Sequence, residues 1–440
     1  MSNTKPSPIK TAILFLTIVL SVTAPVATNV HSSELYDLVY STQPLDDGKL
    51  MFLRLRNPLR DPALRTFEIY VFTPDSGKIS FLQKYSEMLY LPPAVSRDKS
   101  TIVYHSIIEG NDFLVTKNIQ TGKSTRLRFD TGGYFVNLGL DYDNDTVAAI
   151  IKRGENKQAV YLISNRASTI HRIHSGTNFT AIDFLNDKNI YFVDTIDGIK
   201  KMAFTNERIR SSITIAEDID YVQKAPNGDA VIYSKGEDLY LYRTNGRKSM
   251  VLMSNFDAGP NPPMFSADGS TCAVFRKDRI NLANIPSGDI LYFLSMNTER
   301  TTSFLTDFTF FISKDSKVFL LKHKKPGQVL TELFAEDGPV RILSASPDDR
   351  YLVYQKENSR EIIIYDLKEN IKLEKELDFV IQKVIFSIEG ESFYIVTLTG
   401  AYGNQTPVQE LYHYNFLEET MFAISTAKET DVKLYLRKIN

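Results

Sequence analysis

Several scarcities in this sequence narrow the classes of protein that it can encode. It has one cysteine, Cys272, in 440 residues, so no internal disulfide can form and packing must stabilise the fold. The place of Cys272 within an apolar run predicts a buried, unreactive thiol. Basic and acidic residues are nearly balanced, at 51 and 53, which argues against a general binder of nucleic acid or of anionic membranes.

An apolar stretch near the N-terminus is too short for a comfortable membrane span. Ala12–Val22 follows Lys5 and Lys10 and is shorter than the about 20 residues that cross a bilayer. The pattern predicts a signal peptide over residues 1–32, or a signal anchor if residues 11–30 insert as one span; a flexible tail is the remaining alternative. Either of the first two would place the rest of the chain outside the cytoplasm, in the periplasm or secreted.

The feature that the sequence does have is a repeat of about 41 residues, built of strands and turns. One landmark is a polar turn before an apolar run, as in Ser266–Gly269 before Cys272–Phe275. A glycine turn, as at Gly288, follows about twenty residues later. The polar turn recurs at Asp47–Gly48, Asp98, Asp143, Asp187, Asn227–Gly228, Asp268–Gly269, Asp348–Asp349 and Glu389–Gly390, and the glycine turn at Gly77, Gly122, Gly246 and Gly288.

This period predicts an all-β fold, a single large β-propeller over residues 34–440. Apolar runs such as Ala230–Tyr233 suit strands that neighbouring blades cover on both faces. Each unit reads as four antiparallel strands, a to d from the channel outward. The sequence has nine units if a degenerate turn near Thr306–Asp307 is included. This count is compatible with a propeller of eight or nine blades. A final strand, Val432–Leu436, would complete the first blade or cap an open edge.

The polar turn resembles the TolB-type, WD40-like propeller repeat, in which Ser-Pro-Asp-Gly precedes an apolar strand. It stands here as Ser346–Asp349, Ser266–Gly269 and Ala225–Gly228. The Trp-Asp ending of true WD repeats is missing, because the chain has no tryptophan. The α/β domain that precedes TolB propellers is missing too, since strands begin at Leu35–Tyr40. The resemblance implies a scaffold that binds proteins in an extracytoplasmic space, and it implies no catalytic residue.

Motifs for catalysis and metal binding are weak. The chain has no Gly-x-Ser-x-Gly elbow and no phosphate-binding glycine loop. Asp141, Asp143 and Asp145 alternate as in a calcium loop but lack its following Gly and Glu, which favours an ordinary turn. His171 and His174 are three apart, a spacing that directs side chains to opposite sides of a strand. The sequence therefore predicts no metal and no cofactor.

Two insertions supply the candidate binding residues. Asn57–Arg65 lengthens the connection between strands b and c of unit 1, and Gly400–Gln409 lengthens that of unit 9, whereas most other units use about four to seven residues. Loops inserted on one face of a repeat protein often bind partners, and these two meet if the circle of blades closes; the alternative is two unrelated loops. The predicted protein-binding patch consists of Arg60, Arg65, Tyr402 and Gln409.

The sequence thus favours a non-catalytic, extracytoplasmic protein-binding scaffold in an envelope or membrane-associated complex, with no nucleic-acid partner. One alternative is a propeller hydrolase or lyase that acts on peptide or glycan chains at the channel mouth; carboxylates, Arg and His converging there would favour it. Another is an architectural module of a membrane machine, held by an uncleaved N-terminal helix. The oligomeric state stays open.

Overall fold

Residues 37–424 fold as nine four-stranded antiparallel sheets, the blades of a propeller. A computed structural model describes these residues apart from the segments 57–64, 87–90, 130–132, 142–144, 155–156, 165–167, 186–188, 206–211, 245–247, 257–261, 299–300, 326, 358, 378–379, 400–407 and 417–419. Every regular element within them is a β-strand. The described residues contain no helix of the length and apolarity that a membrane span requires.

The strands follow one another in chain order, four to a blade. Blades 1 to 3 consist of β1 (Asp37–Pro44), β2 (Leu50–Arg56), β3 (Thr66–Thr73), β4 (Lys78–Ser86), β5 (Ala94–Val95), β6 (Thr101–Ile108), β7 (Asn111–Asn118), β8 (Ser124–Arg128), β9 (Tyr134–Leu140), β10 (Thr146–Lys152), β11 (Gln158–Ser164) and β12 (Thr169–Gly176). Blades 4 to 6 consist of β13 (Phe179–Phe184), β14 (Ile190–Ile196), β15 (Ile199–Thr205), β16 (Ile213–Glu217), β17 (Val222–Lys224), β18 (Ala230–Lys235), β19 (Asp238–Arg243), β20 (Lys248–Met253), β21 (Met264–Phe265), β22 (Thr271–Arg276), β23 (Arg279–Asn284) and β24 (Ile290–Ser295). Blades 7 to 9 consist of β25 (Thr301–Leu305), β26 (Phe310–Lys314), β27 (Lys317–Leu321), β28 (Thr331–Ala335), β29 (Val340–Ala345), β30 (Tyr351–Lys356), β31 (Glu361–Asp366), β32 (Ile371–Glu376), β33 (Val380–Phe386), β34 (Ser392–Thr399), β35 (Val408–Asn415) and β36 (Thr420–Ile424).

The order of strands within each blade confirms the predicted propeller. Each blade is hydrogen-bonded in the sequence a, b, c, d. The a strands of neighbouring blades approach one another, as β9 does with β13 and β25 with β29, so they line the channel. The degenerate turn is confirmed as well, because the seventh blade turns between strands a and b at Thr306–Thr309.

Buried apolar side chains fill every seam between neighbouring blades. Strand β22 shows why the apolar runs are unbroken: Cys272 and Val274 pack toward blade 5, whereas Ala273 and Phe275 pack toward blade 7. Both faces of the strand are covered, so no polar alternation is needed. The burial of Cys272 confirms the prediction for this thiol, and burial raises its pKa.

The polar turn between strands a and b is a compact hydrogen-bonded unit. In blade 6 the buried Ser266 hydroxyl donates to Asp268 Oδ1 (2.7 Å) and accepts from the backbone N–H of Thr271 (3.0 Å). The same bonds recur around Ser96 and Ser346. The repeated Ser-x-Asp pattern therefore has a local structural explanation, because these bonds satisfy backbone groups of the turn.

Side-chain packing between blades 1 and 9 closes the circle. The aromatic ring of Phe72 lies 6.1 Å from that of Tyr394 and 5.7 Å from that of His413, centroid to centroid. The backbone N–H of Gly48 donates to Glu389 Oε1 (3.1 Å), and the Tyr394 hydroxyl donates to the Gly48 carbonyl. Within the described part of the chain, neither blade takes a strand from the other.

The connections between strands b and c are shorter than expected. Five blades use two residues rather than four to seven. In Glu109–Gly110 and Asp197–Gly198 both residues have positive φ, at 51° and 76° in the first pair and 51° and 82° in the second. Such pairs form tight hairpin turns whose twist matches that of the strands. The longer connections of blades 1 and 9 therefore stand out more clearly than the sequence indicated.

Several predictions fall on residues outside those described. They are the signal peptide or anchor within residues 1–32, the turn positions Asp143, Asp187 and Gly246, and the closing strand Val432–Leu436.

Candidate functional site at the channel mouth

A cavity of about 460 Å³ opens at one end of the central channel. Its walls come from blades 1 to 6, at the points where the a strands end and the polar turns begin. We call this end of the propeller the turn face. A cavity of this size suits a small molecule. The polar and charged residues that line it are Gln43, Ser96, Arg97, Lys99, Asp183, Lys224 and Asp268.

Lys224 and Asp183 form an ion pair in the cavity wall. The Lys224 ammonium, at the end of β17, lies 2.6 Å from Asp183 Oδ2 and donates to the Phe184 carbonyl at 3.2 Å. Gly139 on β9 allows Asp183 to come so near the channel, because a Cβ at this position would lie 3.0 Å from the Cα of Asp183. A missing side chain thus lets two a strands approach closely.

Asp268 is neutralised from outside the cavity. Lys324 Nζ lies 2.6 Å from its Oδ2, and Ser266 and Ser270 also donate to the carboxylate. Burial opposes ionisation of Asp268, but these bonds outweigh it and lower the pKa of the carboxyl group. The second carboxylate of the site is therefore a fixed anion that already has its cation.

Lys99 differs from the other charged residues of the site in its backbone conformation and in its lack of a described ion-pair partner. It has a φ of +62° and is half-buried. Within the described parts of the chain, its ammonium makes no hydrogen bond and no ion pair within 4 Å. Burial, and then the charge of Lys224, lower the pKa of Lys99, while Asp183 and Asp98 act in the opposite direction. In the same position of their turns, other blades have Gly48, Gly228, Gly269 and Gly390.

The chemistry available at the site is therefore recognition of an anion. The carboxylates of Asp183 and Asp268 each have a lysine partner, whereas no described residue forms an ion pair with the ammonium of Lys99. No histidine is among the described residues that line the cavity. A search of the described segments for three metal-ligating side chains close together finds no such group.

The predicted patch of Arg60, Arg65, Tyr402 and Gln409 is only partly covered by the described residues. Arg60 and Tyr402 lie outside them. Arg65 is half-buried directly before β3, and Gln409 lies in β35. The assembly of the four side chains stays a prediction.

The two strand pairs that carry this patch do belong to neighbouring blades. Arg56 pairs with Thr66 in blade 1, and Thr399 pairs with Val408 in blade 9. These strand ends lie opposite the polar turns, because consecutive turns of an antiparallel sheet alternate between its two ends. These strand ends and the cavity thus belong to opposite faces of the propeller.

Sequence reasoning missed the residues of the cavity. A signal for Lys99 exists: it is a lysine at the turn position where glycine recurs. The sequence carries no comparable signal for Lys224, the last residue of β17, or for Asp183, the penultimate residue of β13, because the spacing of the strands labelled a is irregular. The fold alone brings these residues together.

The outer strand of blade 6 is a second exposed feature. Among the nine d strands, only β24 and β36 lack charged residues, and the side chains of β36 are buried or half-buried. Ile290, Leu291 and Phe293 of β24 are exposed. Strand β24 pairs with β23 along one edge, and no described strand pairs with its other edge. We call this free side the β24 edge.

Comparison with known proteins gives likeness in fold alone. No protein-family model and no curated protein matches the sequence. The tricorn protease is 12% identical with a TM-score of 0.30 over 89% of this chain, which spans 45% of the length of that protein. Dihydro-heme d1 dehydrogenase NirN, in complex with DHE, is 12% identical over 82% of this chain and 72% of its own, with a TM-score of 0.44. Oligogalacturonate lyase from Vibrio parahaemolyticus is 12% identical over 78% of this chain and 90% of its own, with a TM-score of 0.41.

Proposed function

We propose that the chain is a non-catalytic, extracytoplasmic scaffold that binds protein partners in an envelope or membrane-associated complex. The observation that carries the proposal is the β24 edge, to which a partner adds an extended segment as a fifth strand. Such addition combines backbone hydrogen bonds with apolar side-chain contacts.

The charge pattern of the outer strands supports this choice. Proteins protect exposed sheet edges with charged side chains, because an apolar edge is a template for another strand. Strand β32 follows this rule with Lys372, Glu374, Lys375 and Glu376. Strand β24 itself has no charged residue, and the Arg279 guanidinium of the neighbouring strand lies over the Phe293 ring, 5.6 Å from its centroid. An apolar edge kept free of charge is expected where a partner covers it.

We expect Phe293→Lys to reduce capture of the physiological partner about tenfold or more, because it buries a charge in the interface. The measurement is crosslinking and affinity capture of the tagged full chain from native membranes, with quantification of each recovered protein. Ile371→Lys on β32 is the matched control: Ile371 is 61% exposed and Phe293 is 59% exposed. Equal recovery of every partner with Phe293→Lys and wild type would contradict the proposal.

The proposed extracytoplasmic location rests on the signal peptide or anchor that is predicted within residues 1–32. The mass of the mature N-terminus distinguishes a cleaved signal peptide from a retained anchor. Protection of the chain from protease added to spheroplasts would contradict the proposed location.

A hydrolase or lyase that acts on peptide or glycan chains is the second candidate. Its specific support is that Lys99 lines the cavity near Asp183 and that burial lowers the pKa of its ammonium, the direction of change that a lysine general base requires. Release of new chain ends from peptide or polysaccharide mixtures by wild type, but not by Lys99→Gly, would favour this candidate over the scaffold.

A further inference from the structure

The geometry points to a binding site for a small oxyanionic ligand, a carboxylate or a phosphate, in the cavity at the turn face. Lys99 and Lys224 are the residues that would bind it. The inference goes beyond the proposed scaffold function, because the cavity is at the channel and the β24 edge is the outermost strand of a blade.

The charge balance of the cavity is the first support. Lys224 neutralises Asp183 and Lys324 neutralises Asp268, at 2.6 Å in each case. Among the described residues, no carboxylate is in direct contact with the Lys99 ammonium. A half-buried cation in this situation has lost hydration without gaining a partner, and an oxyanion in the cavity would supply the missing charge.

The backbone of Lys99 is the second and independent support. Its φ of +62° is costly for a residue with a Cβ, and glycine adopts it without penalty. Blades 1, 5, 6 and 9 have glycine at this position, and blade 8 has Asp349 with a φ of +61°, whose carboxylate accepts hydrogen bonds from Thr306 and Thr309. A lysine that lines a cavity in spite of this strain indicates a requirement for its side chain, since strained residues persist mainly at functional sites.

Lys224 has a free donor for the same ligand. An ammonium group has three N–H donors. Described residues use two of them, through the Asp183 carboxylate and the Phe184 carbonyl. The third can donate to an oxyanion that also contacts Lys99. The volume of about 460 Å³ limits the ligand to a small molecule.

The experiment is calorimetric titration of the purified full chain with inorganic phosphate and, separately, with citrate. It is done at neutral pH and low ionic strength, because salt screens such contacts. We expect saturable binding of one equivalent of at least one probe. Whichever of the two binds more tightly identifies the oxyanion.

Two substitutions are expected to act in opposite directions. Lys99→Gly should weaken binding about tenfold or more, while its midpoint of thermal unfolding equals or exceeds that of wild type because the strain is relieved. Asp183→Asn should strengthen binding severalfold, because it removes a negative charge and releases the Lys224 ammonium. A site with a merely structural role would not produce opposite signs.

Lys123→Gln is the matched control, since this exposed lysine belongs to blade 2, like Lys99, but lies outside the cavity. It should bind the probes as wild type does. The proposal is overturned if wild type shows no saturable binding, if Lys99→Gly binds as tightly as wild type, or if Asp183→Asn weakens binding.

Discussion

Phe72→Ala is expected to lower the free energy of unfolding by about 3–5 kcal/mol, the usual cost of deleting a buried aromatic side chain. Phe72 is 1% exposed and contacts Tyr394 and His413 across the seam between blades 1 and 9. The truncation leaves a cavity at the seam that closes the circle. Urea unfolding followed by circular dichroism measures the effect, because the chain has no tryptophan for fluorescence.

Phe81→Ala in the same blade is the control. Phe81 is 49% exposed and packs edge-on against Tyr70, so its truncation should cost less than about 1 kcal/mol. Similar losses in Phe72→Ala and Phe81→Ala would mean that the seam does not contribute to stability as the structure indicates.

Phe310→Ala distinguishes the effect of lost core volume from the effect of a weakened contact between blades 1 and 9. Phe310 is buried between blades 6 and 7, which follow each other in the chain. Blades 1 and 9 are joined across a separation of 346 residues between Gly48 and Tyr394, and long loops are entropically costly to close. Hydrogen exchange should therefore accelerate in β1 and β36 of Phe72→Ala and stay slow there in Phe310→Ala.

The sequence predicted the fold because each repeat must form its own local structure. The Ser266 hydroxyl and the Asp268 carboxylate, with their counterparts in blades 2 and 8, stabilise the polar turn, so these residue types recur there in the sequence. Strands b and c must be apolar on both faces, which makes their runs unbroken. Even the degenerate turn at Thr306–Thr309 could be placed, because its neighbours fix the period.

The sites escaped prediction because they are exceptions to the repeat. Lys99 can be recognised only by comparison with Gly269 and its equivalents, and Asp183 reaches the cavity only because Gly139 lets the strands approach. The β24 edge is apolar in sequence like many strands, and its significance depends on knowing that β24 is outermost. Position within the blade, rather than residue type alone, distinguishes these segments from the rest of the repeat.

His413→Leu is expected to remove an acid-induced loss of stability of about 3 kcal/mol. Burial lowers the pKa of His413 to about 4, although the charge of Asp75 acts in the opposite direction. The pKa in the unfolded chain is about 6.5, so between these values the unfolded state binds more protons than the folded state. The wild type should therefore lose stability as the pH falls from about 6.5 to about 4, by about 1.4 kcal/mol for each unit of pKa difference. Urea unfolding at a series of pH values measures it.

The difference between the two proteins isolates His413 from other titrating groups. Burial also lowers the pKa of His323 and His174, but these groups contribute equally to both curves. At neutral pH the substitution should have little effect, because His413 Nε2 is buried and makes no hydrogen bond to a described residue, so leucine removes no bond of that atom. Below about pH 6.5 the curves should diverge in favour of His413→Leu until about pH 4. Curves that stay parallel would mean that the folded protein accommodates the imidazolium at the seam between blades 1 and 9, contrary to the packing of Phe72 and Tyr394 around it.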